Sequence, residues 1–102
     1  MRKSIKKAVE TRDLVKAYVE ELTSKEGLVT AFHVNRKFPE VSVGSAALLL
    51  KFNYEDWKLD YGSMTVVESG YSTGTSIRVY FKGGKQPEEK YFDKDSLKPV
   101  ER

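Results

Sequence analysis

The sequence predicts an α+β fold in which three helices precede a β-hairpin. Two observations carry this. Apolar residues recur at helical spacing up to Phe52 and alternate with polar residues after Met64. Breaks fall between these segments, at Gly27, at Pro39 and across the Gly- and Ser-rich stretch 69–75. The 102 residues fit one domain, large enough to bury a core without metals or cross-links.

Leu14, Val15, Tyr18, Val19 and Leu22 form one apolar stripe of a first helix, with Thr11 as its N-cap, Asp13 in its first turn and Gly27 as its stop. Arg12 interrupts the stripe, so residues 1–10 read either as a basic N-terminal arm or as an extension of that helix. A second helix spans Thr30 to Phe38, capped by Thr30 and ended by Pro39, which pushes the preceding residue out of helical geometry. A third covers 42–52, with Ser42 as N-cap. Residues 53–62 read as a turn-rich connector. The strands are Met64–Glu68 and Ser76–Lys82, joined by a loop over Ser69 to Thr75. In the second strand Ile77, Val79 and Phe81 make an apolar face, and Arg78, Tyr80 and Lys82 a polar one. Residues 83–102 read as a charged C-terminal tail, in which Tyr91 and Phe92 are the available anchors.

Composition narrows the function classes. Charged residues make up 32% and hydrophobic ones 39%, a globular and charge-rich profile. The net charge of +3 permits nucleic-acid binding without arguing for it. The absence of cysteine excludes disulfides and thiolate zinc sites, and His33 is the only histidine. No nucleophile–base pair or metal set is visible, so the reading is of a protein that is not an enzyme and uses no cofactor. His33 reads as a surface or partly buried helix residue. Glu55, Asp56 and Asp60 read as a solvated connector, since the alternation and central glycine of a calcium loop are missing. Gly70–Ser76 lacks the lysine of a phosphate loop and joins two strands. Trp57, Tyr54 and Tyr61 read as core aromatics. No membrane-length apolar run or signal-peptide pattern is present, and a cytoplasmic location with no membrane partner is expected. Few Asn and Gln and many charges resemble thermophile composition.

The stretch from Leu28 to Lys51 resembles the helix-turn-helix pattern of winged DNA-binding domains. Val29-Thr30 matches the approach to the second helix and Val34 that helix's core position. Val41-Ser42 matches the turn and cap of the recognition helix, and Ala46, Leu49 and Leu50 its core positions. The resemblance covers residues 11–82, so the chain divides into 1–10, a winged-helix domain over 11–82 and the tail 83–102. It implies a double-stranded-DNA-binding protein, a small transcriptional regulator, with helix 42–52 in the major groove and hairpin 64–82 as the wing. Ser42, Gly44, Ser45, Ala47, Leu48 and Lys51 would face the groove. Arg36, Lys37, Tyr71, Arg78, Lys82 and Lys85 would reach phosphates, together with Arg2, Lys3, Lys6 and Lys7 of the arm.

That groove face departs from the family, which places Arg, Gln or Asn where base edges are read. Small residues, Leu48 and one lysine stand there instead. A protein-interaction module in a transcription, replication or assembly complex is therefore the alternative, as is an RNA-binding winged helix of the ribosomal type. A homodimer through the first helix or the tail is compatible with each.

Overall fold

The computed structural model describes residues 2–83, 88 and 90–101, with side chains of the first helix from residue 9 onward. The chain is α+β. Its elements are α1 (Arg2–Glu26), β1 (Leu28–Val29), α2 (Ala31–Lys37), α3 (Val43–Asn53), β2 (Leu59–Glu68), β3 (Tyr71–Lys82), β4 (Tyr91–Asp93) and β5 (Pro99–Val100). The strands form one mixed sheet in the order β1-β3-β2-β4-β5, with only the β2–β4 pair parallel.

Helix α1 starts well before Thr11, and the backbone of residues 2–10 continues it. Lys, Ala, Glu and Arg favour helix strongly enough to carry it past Arg12 without an apolar stripe. The buried line is Val15, Val19 and Thr23, at i, i+4 and i+8, flanked by half-buried Tyr18 and Leu22. Leu14 falls outside that line and is 59% exposed, contrary to its place in the predicted stripe. Gly27, at φ 84°, ends the helix in left-handed geometry. Thr30 caps α2 and Ser42 caps α3, as their positions predict.

The hairpin is longer than predicted and its turn much shorter. Strand β2 begins at Leu59, inside the expected connector, because Leu59 and Tyr61 pair with Lys82 and Tyr80 despite the strand-averse Asp60 and Gly62. Only Ser69 and Gly70 make the turn, both at positive φ (53° and 85°) as a two-residue hairpin requires. Residues 72–75, expected in the loop, belong to β3. Val66 spans the three residues 73–75 between its flanking pairs Thr65–Ser76 and Val67–Ser72, and this bulge accommodates Gly74. The Thr73 hydroxyl holds the bulge by donating to the Val66 carbonyl (3.1 Å).

The sheet is buried on both faces around residues 79–81. Tyr80 and Leu59 join Val15, Val19, Val29, Val34, Ala46, Leu50 and Trp57 in the core under the helices. Val79 and Phe81, one residue to either side, point the opposite way into a second cluster with Leu28, Met64, Phe92 and Leu97. The segment expected as a charged tail closes that second cluster. Phe92 on β4 is fully buried and Leu97 nearly so.

His33, read from the sequence as a surface or partly buried helix residue, is buried and fastens this segment to α2. The Thr30 backbone N–H donates to His33 Nδ1 (3.1 Å), which leaves the ring proton on Nε2, and Nε2 donates to the Leu97 carbonyl (2.8 Å). The ring meets Phe92 edge-on at 5.7 Å. Burial holds its pKa below histidine's ordinary value, partly opposed by the bond to Leu97. A proton on Nδ1 would displace the Thr30 N–H from the ring and open that half of the capping box.

Two outcomes follow from this packing. Phe92→Ala should lower the unfolding free energy by about 3–5 kcal/mol in urea titrations. A loss below about 1 kcal/mol would mean that β4 does not close a core. His33 is neutral when folded, so its contribution is complete above about pH 6.5 and is lost as the pH falls through the lowered folded value. Thermal melts should therefore show Tm declining as the pH falls below about 6.5, and His33→Gln should flatten that decline. An unchanged pH profile in the variant would refute the assignment.

Candidate functional site

Helix α3 buries one face and exposes the other. Ala46 and Leu50 are fully buried, Leu49 is half-buried, and Asn53 turns its amide back to the Leu49 carbonyl (2.7 Å). Opposite them, Leu48 is 53% exposed and Phe52, one turn on, 72% exposed. The register predicted for this helix is therefore the observed one, with Leu48 outside the core. At the N-terminus Ser42 accepts from the Ser45 backbone N–H (3.1 Å) and donates to the Ser45 hydroxyl (3.0 Å).

Beside this face runs a groove of about 400 Å³. One wall is α3, with Val43, Gly44, Ala47, Leu48 and Lys51. The other is β3, with Ile77, Arg78 and Tyr80, and the end is Thr30, Ala31 and Phe32 at the start of α2. No acidic side chain lines it among the described residues. Gly44 leaves open space where a Cβ would stand, which lets a ligand approach the helix backbone. Two cations flank an otherwise apolar surface. The Arg78 guanidinium lies 5.1 Å from the centre of the Tyr61 ring, and Lys51 Nζ 5.8 Å from that of Phe52. Neither makes an ion pair among the described residues. Burial raises the Tyr80 phenol's pKa, with Arg78 pulling the other way, so the phenol stays neutral.

Of the residues predicted to bind nucleic acid, the groove brings together Gly44, Ala47, Leu48, Lys51 and Arg78. Ser42 and Ser45 sit at the head of α3 beside it. The other cations do not converge there. Arg36 donates to the Asp95 carbonyl (3.1 Å), which ties α2 to the C-terminal segment. Lys37 lies 5.9 Å from the Tyr18 ring of α1. Lys82 is exposed four residues along β3 from Arg78, about 13 Å at strand rise. Tyr71 is 78% exposed at the hairpin turn, roughly 20 Å along the strand. The side chains of Arg2, Lys3, Lys6 and Lys7 lie outside the described residues, as does Lys85.

Phe32, Ile77 and Phe52 were not expected at the site. Phe52 follows Leu48 at i+4, a legible signal, whereas Phe32 and Ile77 meet only through the fold. The predicted aromatic cluster divides: Trp57 is buried, Tyr54 half-buried and Tyr61 52% exposed. Among the described residues no group of three His, Asp or Glu side chains converges, and no helix is long and apolar enough to cross a membrane.

Comparison with known proteins gives no match to a family model, a curated protein or a solved structure.

Leu48→Arg and Phe52→Glu change exposed positions, so each should keep the fold, with Tm within roughly 4 °C of the parent. A cooperative loss of structure in either variant would show that α3 packs through this face.

Proposed function

We propose that the chain is a winged helix that works, without catalysis, as a docking module for a protein partner bound on the face made by α3 and β3. The winged-helix part rests on the order α1-β1-α2-α3-β2-β3 with sheet order β1-β3-β2, and on the short turn between α2 and α3. The protein-docking part rests on one observation. Leu48 and Phe52, large and apolar, stand exposed one turn apart beside an apolar groove. Contiguous exposed apolar surface of this kind marks protein contacts. Against DNA, the same side chains would meet phosphates and sugars with nothing to bury them.

Duplex DNA binding is the second reading. Lys51 and Arg78 favour it, because both flank the groove and neither has a carboxylate partner among the described residues. It is the weaker one on geometry. Gly44, Ser45, Ala47 and Leu48 offer no bidentate contact to a base edge, and Arg36 and Lys37 are engaged elsewhere. A small transcriptional regulator of this kind would bind backbone without reading much sequence.

A photoreactive amino acid placed at position 48 in cells decides between them. The expected adduct is destroyed by protease and survives nuclease, and Phe52→Glu in the same chain reduces its yield. A nuclease-sensitive adduct would establish the DNA reading instead. No adduct of either kind would remove the docking role of this face.

A further inference from the structure

The groove exists because β1 is cut short. Strand β1 is antiparallel to β3 and pairs only Leu28 with Phe81 and Val29 with Tyr80. The next residue, Thr30, lies opposite Val79 in that register, but its N–H goes to His33 and its backbone turns into α2. Strand β3 continues to Tyr71, paired with β2 on its other side. Among the described residues no strand covers the outer side of β3 from Ser76 to Val79. Its outward backbone groups there have no ladder partner among the described residues.

The groove lies along this free edge. Its lining takes Arg78 and Tyr80 from one face of β3 and Ile77 from the other, as only a cleft that crosses the strand's edge can. Its end is formed by Thr30, Ala31 and Phe32, the residues that leave the line of β1. The space is thus the continuation of β1, roofed by α3.

We infer that the groove is a strand-accepting site: an extended segment of a protein partner, apolar at alternate residues and carrying a carboxylate, adds to β3 at Ser76–Val79 in line with β1. This rests on the protein-docking reading and names how the partner binds. Main-chain hydrogen bonds to the free edge supply affinity, and alternate side chains enter the cleft. Apolar ones face Phe32, Ala47, Leu48 and Ile77. The carboxylate meets Lys51 and Arg78, cations on a cleft with no acid of its own. A docked helix would use the apolar walls but would leave the edge of β3 unpaired.

The test is amide hydrogen exchange on the full chain, resolved by residue, with three probes. The first is a short peptide alternating valine with threonine and glutamate. The second has lysine in place of glutamate. The third is a helix-forming peptide with leucines one turn apart and glutamates beside them. The first should slow exchange of outward amides within residues 76–79 and leave the hairpin tip unchanged. Methylation of its alternate backbone nitrogens should abolish the effect. The lysine peptide should bind about tenfold more weakly, and Lys51→Glu with Arg78→Glu should reverse that preference. Binding of the helical peptide without protection of 76–79 overturns strand addition while docking stands. So does failure of every peptide at millimolar concentration when position 48 still crosslinks to protein. A nucleic-acid adduct at position 48 overturns both readings.

Discussion

Residues 79–81 of β3 are buried on both faces of the sheet, and the rest of the chain is arranged to make that stable. Tyr80 points under the helices and Val79 and Phe81 point away from them. A sheet with apolar residues on both sides needs two covers. Helices α1, α2 and α3 supply one. The other is assembled from β4 and the residues after it, whose Phe92 and Leu97 fill the far side. His33 joins the two covers, since its Nδ1 belongs to the α2 cap and its Nε2 to the Leu97 carbonyl. Buried polar groups of this sort must be satisfied, and both ring nitrogens are.

Thr30 links the fold to the groove beside α3. Its side chain accepts from the His33 N–H and starts α2 (3.4 Å), so the chain cannot continue as β1. Ending the strand there orients His33 toward Leu97 and also uncovers the edge of β3. The stability of the C-terminal cover and the shape of the groove therefore share one residue. Helix α3 follows α2 after a short turn held by the Asn35 amide on the Val41 carbonyl (2.7 Å), which fixes its exposed face over the same edge.

The sequence was informative where structure is local. Caps Thr30 and Ser42, the stop at Gly27, and the exposure of Leu48 follow from side chains acting on their own backbone or helix. It was misleading about the sheet. The alternation of Ile77, Val79 and Phe81 is real, but it faces the C-terminal segment, and the face with Tyr80 takes the helices. Assuming a one-sided sheet made residues 83–102 a charged tail with Tyr91 and Phe92 as its available anchors. Phe92 is such an anchor, but the second cluster it closes, and Leu97 with it, were not foreseen. Strand β1 has only two residues and no periodicity to detect. Most of the supposed wing loop is strand because Tyr71 and Ser72 pair with Glu68 and Val67 and the Thr73 hydroxyl holds the bulge on Val66, contacts that no apolar alternation announces. The basic residues misled in a similar way. Arg36 reaches the Asp95 carbonyl and Lys37 the Tyr18 ring at the far end of α2, away from the groove, a placement that charge counting cannot foresee.

An uncovered strand edge is a hazard as well as an opportunity, because any extended chain with free backbone groups can pair with it. Three features limit access to β3. The bulge over 73–75 interrupts the regular ladder below Ser76, so the open stretch is short. Arg78 places a charge on it, which repels the like-charged edge of a second copy and favours an acidic segment. Leu48 and the α3 wall stand beside it, and on the proposed reading they leave room for a single strand and hinder a flat sheet. On that reading the apolar face of α3 has a second role besides contact, as the side of a slot that sets what may enter. Small residues at Gly44 and Ala47 keep that slot open, and bulky base-reading side chains in their place would fill it. The composition of α3 that fits poorly with reading DNA is the composition a strand-wide cleft requires.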